Sequence, residues 1–227
     1  MRRFWKEVTV GPGHAVLLDG RAMKTPARKP LSLPTAPLAE AVALEWRAAG
    51  EQVDADAMPV TRLATTVVDL MPERRDDALS EAAGYARTDL LCYHAAGPAD
   101  LRARQFREWQ PWLDWSDRHL AAPLVVTHDL DPIPQPAASL EALEAVLRRL
   151  DDWRLVATHG ATKLTGSLVL GLAMEAGALD AAKAFDLSLL DELYEIERWG
   201  LEEEQARRQA VLRRDLDAVE RFFAALR

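Results

Sequence analysis

The spacing of apolar residues changes once along this chain, near Thr35, and that change limits the architectures open to it. Before Thr35 apolar residues alternate at period two and turn residues are frequent. Residues 5–10 read as a strand, Gly11-Pro12-Gly13 as a turn, residues 15–18 as a second strand and Asp19-Gly20 as a hairpin signal. Residues 21–25 and 31–33 are two further strand candidates. Two hairpins alone are marginally stable, so this piece must pack on something else.

From Thr35 onward the period is helical. Thr35 is placed to cap a first helix that carries Leu38, Val42, Ala43 and Trp46 on one face and stops at Gly50. Residues 51–59 are a polar connection ending in Pro59. Helices are predicted over 60–70 and 76–94, broken at Met71-Pro72, and over 101–120 with a kink at Pro111. Pro123, Pro132, Pro134 and Pro136 make 121–137 a loop, with a short extended piece at 124–127. Ser139 caps a helix running to about residue 150. Residues 153–177 form the most apolar helix, and Gly166, Ser167, Gly171 and Ala173 mark close contact with a neighbour. Helices over 181–199 and 201–226 finish the chain. The predicted fold is α+β: a small β-rich N-terminal domain with one helix, residues 1–58, followed by a larger all-helical C-terminal domain, residues 59–227.

Composition narrows the function. Of 227 residues, 49% are apolar and 28% charged, a globular balance. A net charge of -8 argues against general nucleic-acid binding, which depends on Lys and Arg neutralising phosphates. The single Cys92 excludes an intramolecular disulfide and fits a reducing compartment. The N-terminus has no apolar signal region, and the uncharged run 164–174 is too short for a bilayer, which takes about 20 residues. A soluble cytoplasmic protein without membrane insertion is expected. Charge is unevenly placed. Arg2, Arg3, Lys6, Arg21, Lys24, Arg28 and Lys29 make the first 31 residues basic; Asp180, Asp186, Asp191, Glu192, Glu195, Glu197 and the run 202–204 make the segment 180–204 acidic. Such ends are either solvated faces or complements to a charged partner.

Motifs for chemistry are weak. Gly11-Pro12-Gly13-His14 opens like a phosphate loop but leads into a strand pattern, which makes it a hairpin turn. Residues 160–167 hold phosphate-loop ingredients in the wrong order. His14, His94, His119, His128 and His159 show no metal-ligand spacing. Cys92 and His94 point apart on the helix expected there, favouring a structural cysteine over a thiolate–imidazole pair. Trp109, Trp112 and Trp115 form a stripe, either core packing or an aromatic anchor. No catalytic residue, cofactor, metal or small-molecule substrate is assigned. The enzymatic alternative is a small hydrolase or transferase using His94 or His128 with Asp89 or Asp131, and it requires a deep polar cleft. A general protein-interaction module is a third reading.

Residues 188–203 are more informative. They read as an amphipathic helix ending in Trp199-Gly200, followed by acidic residues, and suit a surface that holds another protein. Glu192 lies on the flank of the face bearing Phe185, Leu189, Ile196 and Trp199. A carboxylate there needs a partner or water, so it is either a rim residue paired with an arginine or a partner contact. Glu202, Glu203 and Glu204 fall in the first turn of the last helix, where the dipole favours acids.

Several strings carry a family resemblance: Arg3-Phe4-Trp5-Lys6, Asp19-Gly20-Arg21-Ala22-Met23-Lys24-Thr25-Pro26, Leu44-Glu45-Trp46, Met58-Pro59-Val60-Thr61-Arg62-Leu63-Ala64, Thr88-Asp89-Leu90-Leu91-Cys92-Tyr93 and residues 188–203. In this order they resemble the assembly chaperones acting on the alpha subunit of the F-type ATP synthase catalytic head, the ATP-twelve family. The resemblance implies a β-rich N-terminal domain and a helical C-terminal domain, no enzymatic activity and no cofactor. It implies binding of the free alpha subunit, whose exposed interface would otherwise aggregate, until a beta subunit takes its place. It also implies a bacterial cytoplasmic member, eukaryotic relatives being mitochondrial. The family's acidic residue in a W-G-x-x-E context maps onto Glu203, flanked here by Glu202 and Glu204. The residues expected to touch the partner are Glu203, Glu192, Trp199, Asp191 and Glu195.

Overall fold

The computed structural model of the chain describes residues 2–129 and 131–227. It is α+β, with a small antiparallel sheet followed by a helical region. Strands β1 (Val8–Val10), β2 (Val16–Leu18) and β3 (Arg21–Ala22) pair in that order. Residues 11–14 turn β1 into β2, with Gly13 at φ 64 and the Gly11 N–H donating to the Ala15 carbonyl at 2.8 Å. Asp19 and Gly20 both take positive φ, 48 and 77, and close the two-residue hairpin to β3. Residues 31–33 do not form a strand. They meet the sheet through isolated bridges, Ala15 with Ser32 and Lys24 with Pro30, because Pro30 and Pro34 have no N–H to donate.

Helix α1 (Ala36–Ala48) begins where the period changes. Thr35 Oγ1 accepts from the Leu38 N–H at 3.2 Å and donates to the Ala225 carbonyl at 2.6 Å, tying this joint to the C-terminal helix. The Glu45 carboxylate on α1 accepts from the Val60 and Thr61 N–H groups at 2.8 and 2.7 Å and so caps α2 (Pro59–Gly84). The break expected at Pro72 does not occur, and α2 runs through it. A proline there leaves the Val68 carbonyl without its helical donor. Lys29 Nζ, from the N-terminal unit, donates to it at 3.2 Å. Beyond Gly84 the expected helix to residue 94 is replaced by two tight 3-10 turns, Tyr85–Thr88 and Leu90–Cys92.

Helix α3 (Ala99–Leu120) contains Pro111. Helix α4 (Ala137–Arg149) starts before Ser139, whose hydroxyl instead donates to the Pro123 carbonyl at 2.6 Å. The single apolar helix expected over 153–177 is two helices, α5 (Asp152–Thr165) and α6 (Leu168–Glu175). Gly166, at φ 71, ends the first, and Ser167 Oγ accepts from the Leu170 N–H to start the second. A Cβ on Gly171 would fall 2.5 Å from Thr162 Oγ1, so the small residue lets α6 fold back on α5. The helix expected over 181–199 likewise divides at Leu189, giving α7 (Ala181–Ser188) and α8 (Leu190–Trp199); α9 (Glu203–Ala225) closes the chain.

One apolar core runs from Trp5, Val16 and Leu31 through Leu38 and Val42 to Leu170, Leu216 and Phe222; Leu143, Leu147, Leu155 and Leu172 build a second. Trp109 is buried and donates its indole N–H to the Leu187 carbonyl at 3.0 Å, and Trp112 and Trp115 pack at the core edge, so the tryptophan stripe is core packing. Among the described residues no helix is long and apolar enough to cross a membrane.

Candidate functional site

Helix α8 buries Leu190 and Tyr194, and polar bonds do most of the work of orienting it. On α3, Asp100 accepts from the Tyr194 hydroxyl at 2.8 Å and from Arg198 at 2.5 Å, and the Arg198 guanidinium lies 3.5 Å from the centre of the Tyr194 ring. The Tyr194 bond, with Arg198 behind it, holds the Asp100 carboxyl below its ordinary range. Arg104 pairs with Glu197 at 2.7 Å. Buried Gln105 accepts from the Ala95 N–H at 2.7 Å and donates to Asp191 at 2.8 Å. Packing around Asp191 raises its carboxyl above the ordinary value even though Gln105 favours the charged form.

Glu192 faces the other way. It pairs with Arg208 and accepts from Gln209 at 2.8 Å, both on α9, and its side chain is 17% exposed. Glu195 is exposed on the same side of α8, three residues on. The chain then turns at Gly200, φ 89, and leaves Trp199 85% and Leu201 51% exposed. Glu202 caps α9 in a reciprocal box with Gln205. Glu203 pairs with Arg207 one turn on, yet its side chain stays 83% exposed, and Glu204 is exposed beside it.

Along α8, the elbow and the start of α9, Glu195, Trp199 and Glu203 are exposed, while Glu192 is held against α9. Asp191 is turned toward α3. Sequence reasoning missed Leu201, which extends the apolar tip, and Asp100, Arg104 and Gln105, which position α8. Those three have no motif; only the spatial neighbour on α8 gives them a role.

His94 and His128 do come together, with ring centres 5.9 Å apart, in an open depression of about 460 Å³. Among the described residues no acid lines it with them. Asp89 is fully buried and accepts from the Leu91 and Val169 N–H groups at 3.1 and 3.2 Å; burial pushes its carboxyl up to about 6. Asp131 is exposed and does not line the depression. Cys92 is buried off any α-helix, and burial raises its thiol. The polar cleft a hydrolase needs is not formed by these groups. Among the described residues no cluster of His, Cys, Asp and Glu could hold a metal ion.

A family model described as ATP12 chaperone protein matches residues 2–117. The chain belongs to the ATP12 chaperone family. Its membership gives a role in ATP synthase assembly, which is not enzymatic. The solved Atp12 of Paracoccus denitrificans is 41% identical and superposes with a TM-score of 0.90, over 100% of this chain and 98% of that one. A Lys-for-Asp variant of the Paracoccus protein is 40% identical, with a TM-score of 0.90 over 100% of this chain and 98% of that one. A protein of Agrobacterium tumefaciens described as a candidate chaperone is 35% identical with a TM-score of 0.94, over 100% and 86% of the two chains. Protein atp12, mitochondrial, of Schizosaccharomyces pombe is 24% identical over 219 residues, 88% of this chain and 74% of that protein.

Proposed function

We propose that this ATP12-family chaperone holds the free alpha subunit of the F-type ATP synthase catalytic head, masks its exposed interface and releases it when a beta subunit arrives. The observation that carries this reading is Trp199, 85% exposed at a fixed elbow among carboxylates. Tryptophan is the residue type most enriched in interface hot spots, and an exposed one costs solubility unless it meets a partner. Exposed Glu203 and Glu195 flank it in the chain as further contacts, Glu192, paired with Arg208 on α9, adds a less exposed one, and Asp191 supports α8 from behind. A single anchor with polar contacts beside it suits a modest affinity that permits release. The bonds from Asp100, Arg104 and Gln105 pre-organise the helix, which lowers the ordering cost of binding. In the same reading residues 1–58 and 59–227 act as two domains, one basic and one bearing the acidic elbow. The bacterial relatives support the bacterial cytoplasm as its setting.

Co-expression with isolated alpha and beta subunits, followed by pull-down and soluble-fraction analysis, tests this. Wild type is expected to retain alpha. Glu203→Lys keeps the fold, since a misplaced charge in the first helical turn costs about 1 kcal/mol or less, but retains less alpha. Recovery of beta alone, or full retention of alpha by both Glu203→Lys and Trp199→Ala, overturns the proposal.

A further inference from the structure

The depression beside α3 has a chemistry of its own. Ala99, Arg102, Ala103, Phe106 and Gln110 supply one wall at helical spacing. His94, Val126 and His128 supply the other, on two extended segments joined by His94 N–H to the Thr127 carbonyl at 2.9 Å and Thr127 N–H to the Cys92 carbonyl at 2.8 Å. Among the described residues no carboxylate lines it, in a chain of net charge -8. Three groups in it lack what such groups ordinarily have. Arg102 makes no side-chain hydrogen bond or ion pair among the described residues, although most arginines here are paired. Phe106 is 60% exposed. His94 is 6% exposed, yet its Nε2 has no hydrogen-bond partner, while the ring is fixed by the Leu91 backbone and by Trp109, 5.5 Å away. A buried polar atom without a partner is rare, and with Nδ1 donating to the Leu91 carbonyl this Nε2 is an acceptor open to a donor N–H or O–H.

We propose that this depression is a second docking site, and that it takes a carboxylate-bearing segment of a partner polypeptide with an apolar side chain laid on Phe106. The charge complementarity decides the occupant: the Arg102 guanidinium, with no opposing acid lining the depression among the described residues, selects an anion, and the His94 ring, kept neutral by burial, offers Nε2 to an N–H of the same segment. The open shape and the exposed Phe106 in its wall fit side chains offered by a protein surface better than an enclosed small molecule. The site is mechanically tied to the elbow. The Ala95 N–H, next to His94, is held by Gln105, and the same amide holds Asp191 on α8. The two surfaces thus share one rigid support, and a client touching both would gain from their fixed spacing. The inference rests on the alpha-subunit reading only for the name of the partner.

The test uses the full-length protein and a short synthetic peptide, phenylalanine flanked by glutamates, against the same peptide with lysines. The imidazole NMR signals of His94 and His128 are followed during titration. The acidic peptide is expected to shift both, and the basic one neither. Arg102→Glu, at an exposed position that leaves the fold intact, should weaken the acidic peptide at least tenfold, and Trp199→Ala should leave it unchanged. Absence of shifts with the acidic peptide, equal shifts with both peptides, or undiminished binding by Arg102→Glu overturns the site. No ATP synthase subunit enters this titration, so its outcome is separate from that of the pull-down.

Discussion

Helices α6 and α8 are both short, and they are held in opposite ways. From Leu168 to Met174 every residue of α6 is buried, and its first turn is closed by Ser167 and the buried Asp89. Helix α8 buries Leu190 and Tyr194, while Asp100, Arg104, Gln105, Arg208 and Gln209 grip its polar side chains. Apolar burial is strong and undirected, about 25 cal/mol per Å². Exposed ion pairs stabilise by about 0–1 kcal/mol each, but they fix direction. The contrast separates two tasks: α6 holds the fold together, and α8 presents a surface at a set angle without being consumed by the core.

The largest effect should come from α6. Leu170→Ala removes a fully buried side chain and should destabilise by about 2–5 kcal/mol in urea titration. A loss below about 1 kcal/mol would break the contrast, because α6 would then be no more essential than α8. Asp89→Asn turns an amide N–H₂ or leaves one acceptor toward two backbone donors, and should cost about 1–3 kcal/mol. It should also alter the pH profile. With its folded pKa at about 6, above the ordinary aspartate value, the folded state keeps a proton that the unfolded chain has released between about pH 4 and 6. Stability from this group therefore rises as pH falls from 6 to 4 and is level above 6. Urea midpoints should show wild type gaining on Asp89→Asn over that window; parallel profiles would show that the carboxyl is not shifted upward.

Smaller changes sharpen the other half of the comparison. Gln105→Ala orphans the Ala95 N–H and frees Asp191, at about 1–2 kcal/mol. Hydrogen exchange should quicken at Ala95 and along α8 while α6 stays protected; equal quickening in both would remove the distinction between them. Trp199→Ala should change stability by less than about 0.5 kcal/mol, since its side chain already faces solvent. A larger loss by thermal melting would mean that Trp199 belongs to the fold.

The strings that carried the family resemblance turn out to build joints between elements. Thr25 donates to Asp69 on α2 at 2.6 Å, Glu45 caps α2 from α1, and Asp89, between the two 3-10 turns that follow α2, caps α6. Asp19-Gly20 and Thr35 were legible because a hairpin and an N-cap are local: the residues that need special dihedrals or supply a cap adjoin the elements they serve. The elbow was legible because Trp199-Gly200 marks its own stop.

The other boundaries were decided elsewhere. Pro72 stays helical because Lys29, far back in the chain, satisfies the carbonyl that a proline strands. The apolar run 153–177 splits at Gly166 because folding back buries both halves and puts Gly171 against Thr162. Period, caps and turn residues, all short-range, gave this protein its fold class and most of its helices. Which carboxylates stay open to solvent, as Glu203 does, and which are held by distant neighbours, as Asp191 and Glu192 are, depends on the residues that other segments bring alongside, and only the tertiary structure supplies those.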